Sequence, residues 1–535
     1  MRGQPSPRAS NSDGARPLRE VVVVGGGTSG WMCAAALARI APPHLSITLV
    51  ESEEIGVVGV GEATIPTLIE FNEFLGLNEN DLLRQCQGTF KLGIEFVDWL
   101  KPGTCYFHPF GSYGRDTPEF AFHQLWLRLR ALAAEGAAPP DAAGEISEYN
   151  LCIAAARLGR FSQPKGGGDA IASTMRHAYH LDSTLYGQML RRYAEQKGVR
   201  RVEGLVVSVE QGAEHGEIRS VTLREGQVLG GDLFIDCSGF RSLLIGGAMG
   251  SDFVDWSRYL PCDRALAVPS ARSGPPAPFT RATADRAGWR WRIPLQHRTG
   301  NGYVFSSAFI DQDEAHRQLV GGIEGMPLAD CLPLRFRAGH RHTFWKKNCI
   351  AIGLAGGFIE PLESTSIHLA QMGIQRLINL WPGRGFNDAE TEHYNRLMTS
   401  DYERIRDFIV LHYRATQRDD SEFWRHVGSM RIPDTLAAKL DMFRHSGRIV
   451  PPPDDLFTGH NWLAVMLGQG IEPESYDALV DRVPASALIH NMRLLKEAVA
   501  KTAGSLPNHQ DYIDLHCLAP AGHRAAEPDS GTSLH

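Results

Sequence analysis

The run Pro361-Leu362-Glu363-Ser364-Thr365-Ser366-Ile367 places one carboxylate and three hydroxyls where a helix is expected to begin. From Ser366 to Ile378 the apolar residues recur at helical spacing, and Ser364 or Thr365 suits the N-cap. The first N–H groups of a helix lack intrahelical partners and carry partial positive charge, so they attract an anion. A carboxylate beside an anion site has no evident structural purpose. The pairing suits a reaction that needs an anion and a base close together.

Other residues have chemical potential but also ordinary readings. Lys91 lies in Phe90-Lys91-Leu92-Gly93-Ile94-Glu95-Phe96-Val97, whose alternation puts Lys91, Gly93, Glu95 and Val97 on one strand face. A lysine there is ordinarily solvated; in a cleft it would act as a donor and nucleophile, tuned by burial and by any nearby carboxylate. His108, among Tyr106, Phe107 and Phe110, reads as a structural histidine or as a stacking wall for an aromatic ligand. In Gly288-Trp289-Arg290-Trp291-Arg292-Ile293-Pro294, period-two spacing aligns Trp289, Trp291 and Ile293, which by itself describes a core strand. His340 and His342 have no third ligand at metal spacing, so no metal is expected.

The elements around these residues point to an α/β fold. Glu20–Val24 reads as a buried strand, Gly25-Gly26-Gly27-Thr28-Ser29-Gly30 as a turn, and Trp31–Arg39 as a helix; a second strand, Ser46–Val50, ends at Glu51. In this context Gly25-x-Gly27-x-x-Gly30 is the dinucleotide-binding fingerprint. Gly25 permits the tight turn, Gly27 lets a pyrophosphate approach, Gly30 lets helix and strand pack, and Glu51 accepts ribose hydroxyls. Strands ending at Ser238-Gly239 and Gly353 recur far downstream, and no second fingerprint appears. That arrangement favours FAD along one extended groove over NAD(P)H.

Past residue 385 strand signals give way to helices such as Asp388–Leu411 and Ala485–Thr502. The expected organisation is a tail over 1–18 and a Rossmann-like FAD-binding domain of the glutathione-reductase type over 19–385, with inserted substrate-site segments. A mainly helical substrate module over 386–518 and a second tail over 519–535 complete it.

The chain has 535 residues, 43% of them hydrophobic and 9% aromatic, and a net charge of −7 with no basic stripe, which argues against a nucleic-acid partner. No apolar run approaches the roughly 18 residues of a membrane span. Nine cysteines without a C-x-x-C pair argue against a disulfide framework or zinc site and point to the reducing cytoplasm.

Together these segments resemble the flavin-dependent halogenases of the tryptophan halogenase family. The likeness runs from Val21 to about Val483. It is carried by Gly25–Gly30, Gly59-Val60-Gly61-Glu62-Ala63-Thr64-Ile65-Pro66, Phe90-Lys91, Trp289–Pro294 and Gly353–Ile367. It implies a single large flavin-binding domain capped by a helical module. It also implies an enzyme that takes FADH2 from a separate NAD(P)H-dependent flavin reductase and uses oxygen to convert chloride or bromide into hypohalous acid.

By the same resemblance the halide sits at backbone N–H groups of Thr365 and Ser366, and hypohalous acid travels to Lys91, which activates it as a hydrogen-bond donor or as a haloamine. Glu363 stands across from Lys91, where it would orient the electrophile, stabilise the cationic ring or take its proton, and Ser364 supports it. Trp289, Trp291, Ile293 and Pro294 match the wall between flavin and substrate, and His108 and Phe110 the aromatic site. Ser52, Ile55, Glu62, Ala63, Val206, Leu354 and Ile367 match cofactor contacts, beside Thr28 and Ser29 of the turn.

Two features depart from the family pattern. Some members have Gly where this chain has Ser366. The segment Trp462–Gly470 lacks the paired tyrosines that hold the amino-acid end of free tryptophan. That points away from free tryptophan and leaves an indole, a phenol or a larger indole-containing molecule as substrate. Two other readings stay open: a single-component FAD aromatic hydroxylase, and a non-catalytic FAD-stabilised binding protein. The first normally carries Gly-Asp where this chain has Gly353-Leu354, and neither needs Lys91 with Glu363.

Overall fold

A computed structural model describes residues 17–55, 61–164, 171–383 and 385–520. The expected tails fall mostly outside these residues, as do Gly59 and Val60. Two ends pack further than expected: Leu18 is buried in the core, and the Ala519 N–H donates to Gln296 Oε1 at 2.8 Å.

The first architectural unit is a six-stranded sheet. Its order is Trp345–Lys346, Cys349–Ala351, Leu233–Asp236, Glu20–Val24, Ser46–Glu51, Arg200–Glu203, parallel throughout except for the first pair. Its central strands are apolar because both faces are covered, which is how buried parallel strands read. Val24 pairs with Asp236 and Asp236 with Ala351, so three strands end level. Their following turns, at Gly25, Ser238-Gly239 and Gly353, therefore meet at one carboxyl edge, where such sheets bind ligands.

A second, seven-stranded sheet holds Gly93–Val97, Cys105–Pro109 and Gly288–Pro294. A small sheet of Gly61–Ala63, Ala178–Asp182 and Thr89–Lys91 lies beside it. The single strand expected over Phe90–Val97 is thus two strands in different sheets. The break is at Leu92, whose N–H goes to Pro278 O and whose carbonyl takes the Phe110 N–H. Lys91 is consequently not on a solvated face with Glu95 but fully buried.

Among the described residues no strand follows Gly357–Phe358. The helix Asp388–Arg414 begins at an Asn387 cap, with Asp388 and Glu390 in its first turn and His412 and Arg414 in its last, as the helix dipole favours. Its run Phe408–Tyr413 is entirely buried. The helix Gly459–Gly468 opens with a Thr458/Asn461 capping box and packs on Cys105–Pro109. Downstream, His509 accepts the Phe90 N–H at 3.2 Å and donates to Pro276 O at 2.8 Å, tying the helix His509–His516 to the lysine-bearing strand. No helix among the described residues is long and apolar enough to cross a membrane.

Candidate active site

The fingerprint turn has the shape a dinucleotide requires. Gly25 has φ +115°, and a Cβ there would lie 2.2 Å from Cys237 O; one on Gly30 would lie 1.9 Å from Gly25 O. A Cβ on Gly27 would meet nothing within 4 Å, so this face of the turn is open. Gly27 caps the helix Thr28–Ile40 without a side chain, which leaves its first N–H groups for a pyrophosphate. Glu51, at the next strand end, takes the Trp31 Nε1–H at 3.1 Å and Arg201 Nε–H at 2.5 Å. A Cβ on Gly353 would lie 2.3 Å from Ser29 Oγ, so the third turn closes directly on the first. This open cradle at a sheet's carboxyl edge fits FAD.

The other expected cofactor residues are spread around that edge. Ser52 is half-buried and Ile55 exposed just after Glu51. Val206 is half-buried on a separate strand that follows Gly204, whose N–H donates to Glu51 O. Glu62 and Ala63 belong to the strand Gly61–Ala63, where burial pushes the Glu62 carboxyl up to about 7. Leu354 sits in the Gly353–Ala355 turn, and Ile367 in the first turn of the helix packed against it.

That helix, Ser366–Asn379, follows a turn at Pro361–Glu363. Thr365 holds the N-cap position, but its side chain does not cap, and its buried Oγ1 has no partner. An orphaned hydroxyl beside unpaired helix N–H groups suits a small anion. Ser364 has φ 62°, an uncommon conformation for a residue with a side chain, of the kind concentrated at functional sites. The turn aims Ser364 Oγ at Lys91 Nζ, 3.0 Å away. Ser364 therefore contacts the lysine directly, next in the chain to Glu363, which the resemblance has it support.

Lys91 Nζ also donates to Thr64 O at 3.0 Å and lies 5.1 Å from the centre of the Phe110 ring. An ammonium has three donors, so two protein acceptors leave one for a ligand. Burial brings the Lys91 pKa down to about 7, with the charge of Glu363 opposing the shift. Both the ammonium and the free amine are thus accessible near neutral pH.

Glu363 is 1% exposed. Its oxygens lie 2.9 and 2.8 Å from His108 Nδ1, and Oε1 is 2.9 Å from His412 Nε2. Burial alone would raise its pKa, but the two histidines outweigh it and hold the carboxyl at about 2. His108 thus has a polar duty beyond the expected aromatic wall. Its other nitrogen meets Asn461 Nδ2 at 2.8 Å, and its ring lies 5.5 Å from Phe408.

Trp289, Trp291 and Ile293 are buried, as their spacing predicts, with Arg290 and Arg292 turned outward; Pro294, on the arginines' parity, is buried as well. A Cβ on the facing Gly302 would lie 2.0 Å from the Trp291 ring, so glycine there lets the indole lie across the strand. Trp289 Nε1–H donates to Glu360 Oε1 at 3.0 Å, and Tyr413 O–H to the same oxygen at 2.5 Å. Glu360 Oε2 has no partner, and burial pushes this carboxyl up to about 7.

Reading the sequence missed Glu360, His412, Tyr413 and Asn461. The available signals were a second glutamate before Pro361, two polar residues ending the apolar run Phe408–Leu411, and an Asn three places after Thr458.

A family profile described as tryptophan halogenase matches residues 20–485. The tryptophan 6-halogenase SttH of Streptomyces toxytricini is 33% identical over 92% of this chain and 97% of its own. The tryptophan 7-halogenase RebH of Lentzea aerocolonigenes is also 33% identical, over 92% and 96%. Among solved structures, a flavin-dependent halogenase from Xanthomonas campestris superposes with TM-score 0.90 at 45% identity, covering 95% of this chain and 100% of that one. BrvH, a flavin-dependent halogenase from Brevundimonas sp. BAL3, superposes with TM-score 0.87 at 43% identity, covering 93% and 99%.

Proposed function

Because the chain belongs to the tryptophan halogenase family, we propose that it is an FADH2-dependent halogenase placing chloride or bromide on an electron-rich, indole-type ring. The observation that carries this reading is the buried Lys91, held by Ser364 on the same turn that presents Glu363 and the helix start. An aromatic hydroxylase has no use for that arrangement.

Gly25, Gly27, Thr28, Ser29 and Gly30 hold the pyrophosphate, Glu51 the adenosine ribose. Ser52, Ile55, Glu62, Ala63, Val206, Leu354 and Ile367 flank the rest of FAD. Reduced flavin and oxygen supply the oxidising power that turns halide into hypohalous acid. The halide waits at the Thr365 and Ser366 N–H groups, with the Thr365 hydroxyl free to donate as well. Trp289, Trp291, Ile293 and Pro294 wall the flavin from the substrate, so only the small acid crosses to Lys91.

At Lys91 the free ammonium N–H holds the hypohalous oxygen. The ring's π electrons form the carbon–halogen bond as the oxygen–halogen bond breaks, and the departing hydroxide takes a proton from Lys91 Nζ to leave as water. Glu363, kept ionised in a dry site, stabilises the ring cation and accepts the proton from its C–H bond. Returning that proton to Lys91 closes the cycle. His108 and Phe110 flank the ring.

The chain has one dinucleotide fingerprint, so FADH2 comes from a separate NAD(P)H-dependent reductase. All nine cysteines are free, which suits the reducing cytoplasm. The test supplies FAD, a flavin reductase, NADH, oxygen and bromide or chloride with a panel of indoles and phenols, read by mass spectrometry. Halogenated indoles with the isotope pattern of the added halide are expected. Singly oxygenated products alone would establish the hydroxylase instead, and rapid NADH oxidation by the purified chain would contradict the separate reductase.

A further inference from the structure

We propose that Asn461 is a positioning residue of the halogenation site: its side-chain amide fixes the His108 ring with Nδ1–H toward Glu363 and so holds that carboxylate in place as an acceptor. The inference rests on the reading of Glu363 as the group facing the substrate ring. Its support is a line of hydrogen bonds whose directions are set from one end.

The line starts at a helix cap. The Thr458 N–H and hydroxyl donate to Asn461 Oδ1 at 2.8 and 2.9 Å, within the capping box that opens the helix Gly459–Gly468. A backbone N–H can only donate, so the atom it meets is the amide oxygen. Asn461 Nδ2 is then the end that reaches His108 Nε2, at 2.8 Å. An amide NH2 donates, so His108 Nε2 accepts and carries no hydrogen. The ring's hydrogen is on Nδ1, which lies 2.9 and 2.8 Å from the two Glu363 oxygens.

The other states of this ring are mismatched, and burial makes a mismatch costly. With its hydrogen on Nε2, the ring would set N–H against N–H at Asn461 and a lone pair against the carboxylate. An imidazolium would still set N–H against N–H. Turning the amide over relieves either clash only by placing NH2 against the Thr458 N–H. The cap thus selects the tautomer, and the tautomer holds both Glu363 oxygens. His412 is no substitute: its Nε2 lies 2.9 Å from Oε1 but off the hydrogen-bond line, without a partner.

The other charged and titratable groups around His108 are engaged elsewhere. On the neighbouring strand Ile94 stands opposite His108, and Glu95 turns to Arg281. Lys91 is held by Ser364 and Thr64, and Tyr106 stays a phenol, pushed far up by burial and Glu363. His460, next to Asn461, lies 3.4 Å from Asp116, and Arg157 of the helix Leu151–Arg157 reaches Ser147. The Phe408 and Phe457 rings pack beside the imidazole, with centroids 5.5 and 6.3 Å away.

The first measurement uses the resting protein and does not depend on turnover. With 15N-labelled histidine and asparagine, the His108 resonances are identified by their loss in His108→Gln, or in His108→Asn if that variant does not fold. Nδ1 should carry a hydrogen, and Nε2 should be bare and coupled to the Asn461 side-chain nitrogen through the hydrogen bond. A hydrogen on Nε2, or no such coupling, overturns the proposal whether or not the chain halogenates.

Asn461→Asp then separates positioning from capping. Aspartate keeps an oxygen for the Thr458 N–H, so the cap survives and the melting temperature should stay within about 3 °C of wild type. Its other oxygen accepts at His108 Nε2 and draws a second proton onto the ring, which makes Glu363 a weaker base. With an indole substrate, kcat should fall about tenfold at pH 7 while substrate KM and FAD affinity stay within about threefold. The loss should shrink as pH rises and the ring gives up that proton. A wild-type kcat in Asn461→Asp, or a loss equal at every pH, overturns the positioning role.

Discussion

Glu360 and Glu363 lie one helical turn apart in sequence, both are fully buried, and their environments shift their carboxyls in opposite directions. Burial pushes each upward. Glu360 meets only neutral donors, an indole N–H and a phenol O–H on one oxygen, and its carboxyl rises to about 7. Glu363 is gripped by two imidazoles on both oxygens, and its carboxyl falls to about 2. Depth alone therefore does not set charge in a dry core; the charge and number of the donors do. One turn thus carries a carboxyl raised toward neutrality beside Trp289 and a carboxyl held ionised beside His108.

The comparison divides the site into a reactive side and a wall side, and the largest expected effects fall on the reactive side. Lys91→Ala should cut kcat/KM for halogenation by roughly 10³-fold or more, since in the proposed mechanism it removes the group that activates the electrophile. FAD binding, followed by flavin fluorescence, should persist. Substantial remaining turnover would remove Lys91 from the chemistry and with it the meaning of a charged Glu363.

Glu363→Gln should lower kcat by roughly 10²-fold, the scale of losing a positioned base. The amide keeps the shape but neither stabilises a cation through charge nor accepts a proton. Steady-state kinetics with an indole substrate decides it: an unchanged kcat would mean that the carboxylate's ionisation is incidental and that the two glutamates differ without consequence.

Much of the cofactor side was legible because its determinants are local. Gly25, Gly27, Gly30 and Glu51 lie within one strand–helix–strand unit, and the level strand ends bring the recurring strand–glycine turn at Gly353 onto Ser29, a contact the sequence pattern did not specify. The reactive side was less so. Alternation carried the reading of Phe90–Val97 past Leu92, because the partners that break the strand, Pro278 and Phe110, come from elsewhere in the chain. His412 and Asn461 reach the site from separate helices of the C-terminal region, and their roles depend on packing that no periodicity encodes. A lone histidine in an apolar run is the trace such packing leaves in sequence.

The wall side makes a smaller prediction, in stability. The Glu360 carboxyl is raised from 4.5 to about 7, so the unfolded chain ionises first as pH rises. Folding stability is unaffected by this group well below pH 4.5, falls as pH climbs toward 7, and levels off above it. The cost above pH 7 is about 3 kcal/mol, from a shift of roughly two and a half units. Glu360→Gln cannot ionise and escapes it. Thermal melts from pH 5 to 8 should show the variant gaining on the wild type as pH rises; a constant difference would mean that Glu360 is ionised in the fold, as Glu363 is.

The smallest effect expected is that of Glu360→Gln on turnover. At pH 6 to 7 the natural side chain already carries its proton in much of the population, so the amide replaces a neutral acid of the same shape. The amide oxygen can keep both the Trp289 N–H and the Tyr413 O–H, and its NH2 takes the place of the unpartnered Oε2. The wall should stay in place, with kcat and the ratio of halogenated product to hydrogen peroxide within about threefold of wild type. Parallel assays of Glu360→Gln and Glu363→Gln place the two carboxylates on one scale. A loss at Glu360 as large as that at Glu363 would show that the wall's glutamate works as an anion, and that two donors on one oxygen suffice to hold a buried charge.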